Sequence, residues 1–161
     1  MSFSKNVVVE SGSGSYLKTP PGQTKIRIVS DAVMFYKDFD NKLQYMGKEA
    51  ASKNPSAKPR YAMWVIDRGD GVIKMWECSG GMVKDIQNLA ENPEYAFDGL
   101  PPYDVIINRV GTTINDTRYT VTPARTNVAL TPEEQKAVDA VGSLFMELDK
   151  DAEDKGVRAP F

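Results

Sequence analysis

The sequence predicts a mainly β domain, and three observations predict it. Short runs rich in Val, Ile, Tyr and Trp recur between turn-forming clusters. Glycine-bearing turns at Asp67-Arg68-Gly69-Asp70-Gly71 and from Gly111 to Asp116 join neighbouring runs. A single helical stripe interrupts the series after the third run, with Met82, Ile86 and Leu89 at 4- and 3-residue spacing. The chain has 161 residues, enough to bury a core without covalent staples, and its 41% hydrophobic and 26% charged content is that of an ordinary soluble domain.

The elements follow in order. Residues 1–15 read as a weakly ordered lead-in, with Ser11-Gly12-Ser13-Gly14-Ser15 as a flexible connector. Pro20-Pro21-Gly22 launches TKIRIVSDAVMFYK, whose length suggests one bent strand serving two parts of a small barrel. A long polar segment, Asp38 to Pro59, carries a turn at Asp40-Asn41 and a short excursion at KLQYM. The hairpin KPRYAMWVIDRGDGVIKMWE supplies the second and third strands. Ser79 caps a helix from Gly81 to Ala90, which Asn92-Pro93 stops. YDVIINRV and TRYTVTP complete the strands, giving the order β-β-β-α-β-β. That is the order of the OB-fold, a five-stranded Greek-key barrel that binds oligonucleotides on its second and third strands and the adjoining loops. The predicted organisation is a lead-in (1–15), an OB domain (16–127), and a C-terminal helix with a short acidic tail (128–161).

Alternate residues of a strand share a face. Trp64 is therefore expected beside Arg60 and Arg68, and Trp76 beside Lys74. If the apolar sides of both strands face inward together, the two tryptophans form one aromatic pair ringed by cations. Charge is asymmetric as well. Residues 1–127 carry 16 Lys+Arg against 14 Asp+Glu, a balance of +2, whereas residues 128–161 carry 4 against 8, a balance of −4. A basic body with an acidic end suits a polyanion partner and a tail that competes for the same surface.

The run YLKTPPGQTKIRIVS, the hairpin with IKMWECS, the helix, YDVIINRVG and DTRYTVTPA together resemble bacteriophage single-stranded-DNA-binding proteins. The resemblance spans Tyr16 to Ala124 and rests on the order of the motifs. It implies an OB-fold replication or recombination protein of the infected cell's cytoplasm that coats single strands without reading sequence. The expected interface is Trp64 and Trp76 stacking bases, with Lys25, Arg27, Arg60, Arg68 and Lys74 meeting phosphates. Lys48, Lys53 and Lys58 would close over the strand. Tyr36, Tyr45 and Tyr103 are weaker candidates. The terminal Pro160-Phe161, behind Asp149, Asp151, Glu153 and Asp154, resembles the acidic tails by which such proteins capture replication partners, although Lys150, Lys155 and Arg158 interrupt the acids. Two other readings stay open: a protein-interaction adaptor using the same aromatics as a hot spot, and an RNA-binding OB domain.

No catalytic residue, cofactor or metal is expected. The chain has no histidine, and its single cysteine, Cys78, lacks the usual base partner. It has neither a GxxxxGK[ST] nor a GxGxxG loop. Asp38 and Asp40 read as a solvated loop rather than a cation site. No apolar run approaches a membrane span. Thr131-Pro132-Glu133-Glu134 is a capping box opening a helix whose stripe is Val138, Val141, Phe145 and Leu148. That stripe is expected to dock on the same chain or to join two copies, making a monomer or a homodimer.

Overall fold

The strand predicted as bent does bend. In the computed structural model, which describes residues 16–142 except 114, it divides into β1 (Gly22–Ile28) and β2 (Val33–Asp38). Both halves pair antiparallel with the same edge of β4 (Lys58–Asp67), β1 through Ile26–Ile28 and β2 through Val33–Lys37. At the bend the regular ladder is interrupted, and side-chain and main-chain bonds replace it. Val29 N donates to Trp64 O (3.0 Å), and Trp64 N donates to Ser30 Oγ (2.8 Å).

The other edge of β4 carries β5 (Ile73–Cys78). β1 continues on its far side to β6 (Tyr103–Val110), and β6 to β7 (Arg118–Asn127). β7 runs past Pro123, which an edge strand tolerates. The short β3 (Leu43–Tyr45) pairs with β2, and a single turn of helix, α1 (Lys48–Ala51), follows it in the polar segment. The result is mainly β, one antiparallel sheet of seven strands among the described residues. β5 and β7 do not pair with one another, so the expected closed five-stranded barrel is not formed among these residues. Beside β5, Tyr16 makes a parallel bridge to Met75, with Leu17 N donating to Met75 O at 2.8 Å.

Alternation along β1 sends Ile26 and Ile28 to one face of the sheet. There they meet Met63, Val65, Trp76, Cys78, Val105, Ile107 and Val121. This inner core is covered by α2 (Gly80–Glu91), whose predicted stripe of Met82, Ile86 and Leu89 packs into it. Ser79 stands at the N-cap position, but its side chain makes no capping hydrogen bond. The opposite face holds a second core: Val29, Phe35, Met46, Ala62, Trp64, Ile66 and Met75. Leu130, Val138 and Val141, in and around α3 (Pro132–Ala140), pack against it, as does Ala50 of α1. No helix among the described residues is long and apolar enough to cross a membrane.

α3 opens as the sequence predicts. Thr131 Oγ1 accepts from Glu134 N (3.1 Å), and Glu134 Oε1 accepts in return from Thr131 N (3.0 Å), with Pro132 at the first position. Val138 and Val141 dock on the same chain, and the helix gives way to extended backbone at Val141. Phe145, Leu148, Pro160 and Phe161 lie outside the described residues, as does the lead-in 1–15.

The expected aromatic pair is overturned by the hairpin register. Trp64 stands opposite Met75, and Met63 opposite Trp76, so the two indoles point to opposite faces of the sheet. A one-residue difference in alignment exchanges faces. Both are interior: Trp64 is 7% exposed in the outer core and Trp76 2% exposed in the inner core. Truncating Trp76 to alanine is expected to cost about 3–5 kcal/mol, the loss typical of a buried large aromatic. Urea denaturation of the variant beside the wild type measures it.

Candidate nucleic-acid interface

The outer face of the sheet is apolar in its middle and charged at two ends. At one end, the β2–β3 turn thrusts Phe39 into solvent, 55% exposed. Asp38 makes that turn. Its buried carboxylate accepts from the backbone N–H of Asp40 (3.1 Å) and Asn41 (3.3 Å), and from the side-chain amides of Asn41 (2.9 Å) and Asn54 (3.0 Å). The bond from Asn54 ties the Phe39 turn to the loop that carries Lys53. Four N–H donors converge on this carboxylate, the opposite of what a cation site needs.

Phe39 lies among cations. Lys37 Nζ is 5.2 Å and Arg60 Cζ 5.4 Å from its ring centroid. Glu77 of β5 holds both in place, accepting from Lys37 Nζ at 3.1 Å and from Arg60 Nε at 3.0 Å. The sheet brings these groups together because Lys37 and Arg60 share a face of the paired β2 and β4, and Glu77 shares it on β5. Lys58, directly across from Lys37, adds a further cation on the same face. Lys37, Arg60 and Lys58 bring three positive charges, and Glu77 with the Asp38 and Asp40 carboxylates on either side of Phe39 brings three negative ones, so the cluster as a whole is neutral.

At the other end, Arg27 and Arg68 meet Asp104 of β6. Arg68 Nε lies 3.2 Å from both carboxylate oxygens, and a further Arg68 nitrogen pairs with Glu134 of α3. Burial pulls the Arg68 pKa down, but the bonds to Glu134 and Asp104 outweigh it and hold it above its ordinary value. The bond from Thr131 N, followed by Arg68, keeps Glu134 below the usual carboxylate range.

The predicted site residues among the described ones therefore separate into four groups. Arg60 belongs to the open Phe39 cluster, and Lys58 stands beside it. Lys25, Lys48, Lys53 and Lys58 are exposed and form no ion pair among the described residues. Arg27, Arg68 and Lys74 are engaged internally. Lys74 reaches Asp67 (2.8 Å) and Asp70 (2.7 Å) across its own hairpin turn rather than flanking an indole. Trp64 and Trp76 offer no open ring to a base, since the sheet buries both. Of the weaker candidates, Tyr103 is an inner-core residue whose hydroxyl donates to Tyr95 O (2.8 Å), and Tyr36 and Tyr45 face each other half-buried across β2 and β3. Sequence reasoning missed Phe39 and Lys37. The Asp-Phe-Asp triplet on a turn was the available signal, since an aromatic at a turn tip has little to pack against. Comparison of the chain with protein-family models, with curated proteins and with solved structures finds no match.

Hydrogen bonds from Asn41 and Asn54 hold the Asp38 carboxyl below its ordinary value of 3.8. A depressed folded-state value means that its stabilising contribution is complete above 3.8 and is lost as pH falls toward the folded value. Thermal melts at decreasing pH are expected to show the wild type losing this increment on the acid side. The Asp38→Asn variant, less stable at neutral pH, is expected to show a shallower acid-side fall.

Proposed function

We propose that the chain binds single-stranded DNA without sequence preference, as an OB-type, non-enzymatic protein of a phage-type replication or recombination system. The observation that carries this reading is the solvent-exposed Phe39 ring, with Lys37 and Arg60 over it as cation–π partners that a base would displace toward phosphates, next to the lysine-bearing loop of Lys48, Lys53 and Lys58. An open aromatic takes the face of any base, and the cations around it take phosphates without regard to sequence. Duplex DNA keeps its bases stacked and offers no such face.

The order of elements supports the OB reading. The five long strand segments and the helix run β1/β2, β4, β5, α2, β6, β7, with the bent first segment pairing to both β4 and β6. In that arrangement the segment from Asp38 to Pro59 is the loop between the first two strands, one of the loops through which OB-folds hold oligonucleotides. The stacking role therefore passes from the tryptophans to Phe39, at one end of the outer face that buries Trp64 and next to the same loop.

Phe39→Ala is expected to weaken binding of an oligothymidylate by about 1–3 kcal/mol with the thermal midpoint unchanged. Log affinity of the wild type should fall with log salt at a slope of about −0.7 per phosphate neutralised. Fluorescence anisotropy with a labelled single strand, and with the matched duplex, measures both. Equal affinity for the two forms of DNA would overturn the reading.

A further inference from the structure

Arg27 and Arg68 lie between the outer face of the sheet and α3, and their pairing is incomplete. Arg27 is only 6% exposed, and its Nη1 stands 3.6 Å from Asp104 Oδ1, beyond hydrogen-bond distance. That nitrogen has no other hydrogen-bond partner among the described residues. The local charges cancel, two arginines against Asp104 and Glu134. Three of these four groups belong to the sheet and its turn; Glu134 alone belongs to α3. Without α3 the sheet would keep one net positive charge and an arginine short of acceptors.

α3 is lightly held. None of its residues is buried. It is secured by the edges of Leu130, Val138 and Val141, by the Arg68–Glu134 pair, and by Trp64 Nε1 donating to Gly142 O at 2.9 Å. A cavity of about 220 Å³ lies between it and the sheet, lined by Arg27, Val29, Pro102, Leu130, Gln135 and Val138. A second, open groove of about 440 Å³ borders Asp104 and runs past Lys25, Ile106 and Thr126.

We propose that Arg27 and Arg68 form a second backbone-phosphate site, reached along the Lys25 groove, in which the Glu134 carboxylate holds the phosphate's place until α3 lifts. A phosphate brings more acceptor oxygens than a carboxylate, enough to serve both guanidinium groups, including the unmatched Arg27 Nη1. Asp104 stays in the site and opposes free anions. A strand already held at Phe39 overcomes that opposition through its high local concentration. The inference rests on the single-strand reading above.

Glu134→Gln tests it, because glutamine keeps the capping-box acceptor while removing the charge. The full-length variant is expected to bind a long oligothymidylate about five-fold or more tightly than the wild type. Its salt slope should be steeper by about 0.7 for each phosphate gained. Adding Arg68→Gln should abolish that gain. In the wild type, the oligonucleotide should raise hydrogen–deuterium exchange across residues 131–141, and this reading stands alone if the variant fails to fold. Wild-type binding with no gain in Glu134→Gln, or with no rise in exchange, overturns the second site and leaves the single-strand reading in place. No binding by either protein overturns both. An equal rise in exchange with inorganic phosphate at matched phosphate concentration makes this a free-anion site and overturns the assignment to backbone phosphate.

Discussion

β4 has to be covered on both sides. Its residues Ala62 to Ile66 are five consecutive apolar side chains, and all five are buried, alternating between the inner and outer cores. A strand of this kind cannot lie on a surface with one face wet. α2 supplies the cover within the sheet's curve. On the other side, Met46, α1 and α3 with its flanking residues supply it together. The proposed interface follows from how far those covers reach. The middle of the outer face is sealed by Phe35, Trp64 and Met75 under these elements, leaving its two ends to carry the charges.

The two ends differ in how their charges are balanced. At the Phe39 end, one carboxylate, Glu77, serves two cations, while the Asp38 carboxylate is taken up by N–H donors of its own turn. At the Arg27 end, two carboxylates serve two cations, and the balance is neutral while α3 stays in place. Partly buried pairs of this kind fix geometry more than they add stability. Glu77 sets Lys37 and Arg60 over the ring of Phe39, whose turn Asp38 holds through its hydrogen bonds. The pairing on the outer face thus positions side chains around Phe39 rather than building a core.

Much of this was legible in the residues. The bent first strand, the hairpin, the helix with its Met82–Ile86–Leu89 stripe and the capping box at Thr131 all follow local rules of period and capping, which need no knowledge of partners. The placement of the tryptophans did not. AMWVI is a continuous apolar run, the mark of a strand buried on both faces, whereas the parity argument assumed one wet face. The relative register of Trp64 and Trp76 depends on the loop from Asp67 to Val72, where one residue of slip exchanges the faces. Arg27 and Lys74 could not be located from the sequence either. Their acidic partners come from β6 in one case and from the residue's own turn in the other, and a choice among 22 acidic residues is made only by the fold. Phe39 escaped notice because the Asp38-Phe39-Asp40 triplet reads as a pair of carboxylates rather than as the ring between them.

The central claim is that nucleic acid engages the Phe39 end of the outer face, not the tryptophans of the hairpin. Amide chemical-shift mapping of the full chain, titrated with a short oligothymidylate, addresses it directly. The account predicts that the earliest and largest shifts fall at residues 37–41, 53–60 and 77, with the inner-core residues around Trp76 unmoved. Shifts centred on α2 and the inner core, or none near Phe39 at saturating oligonucleotide, would contradict it.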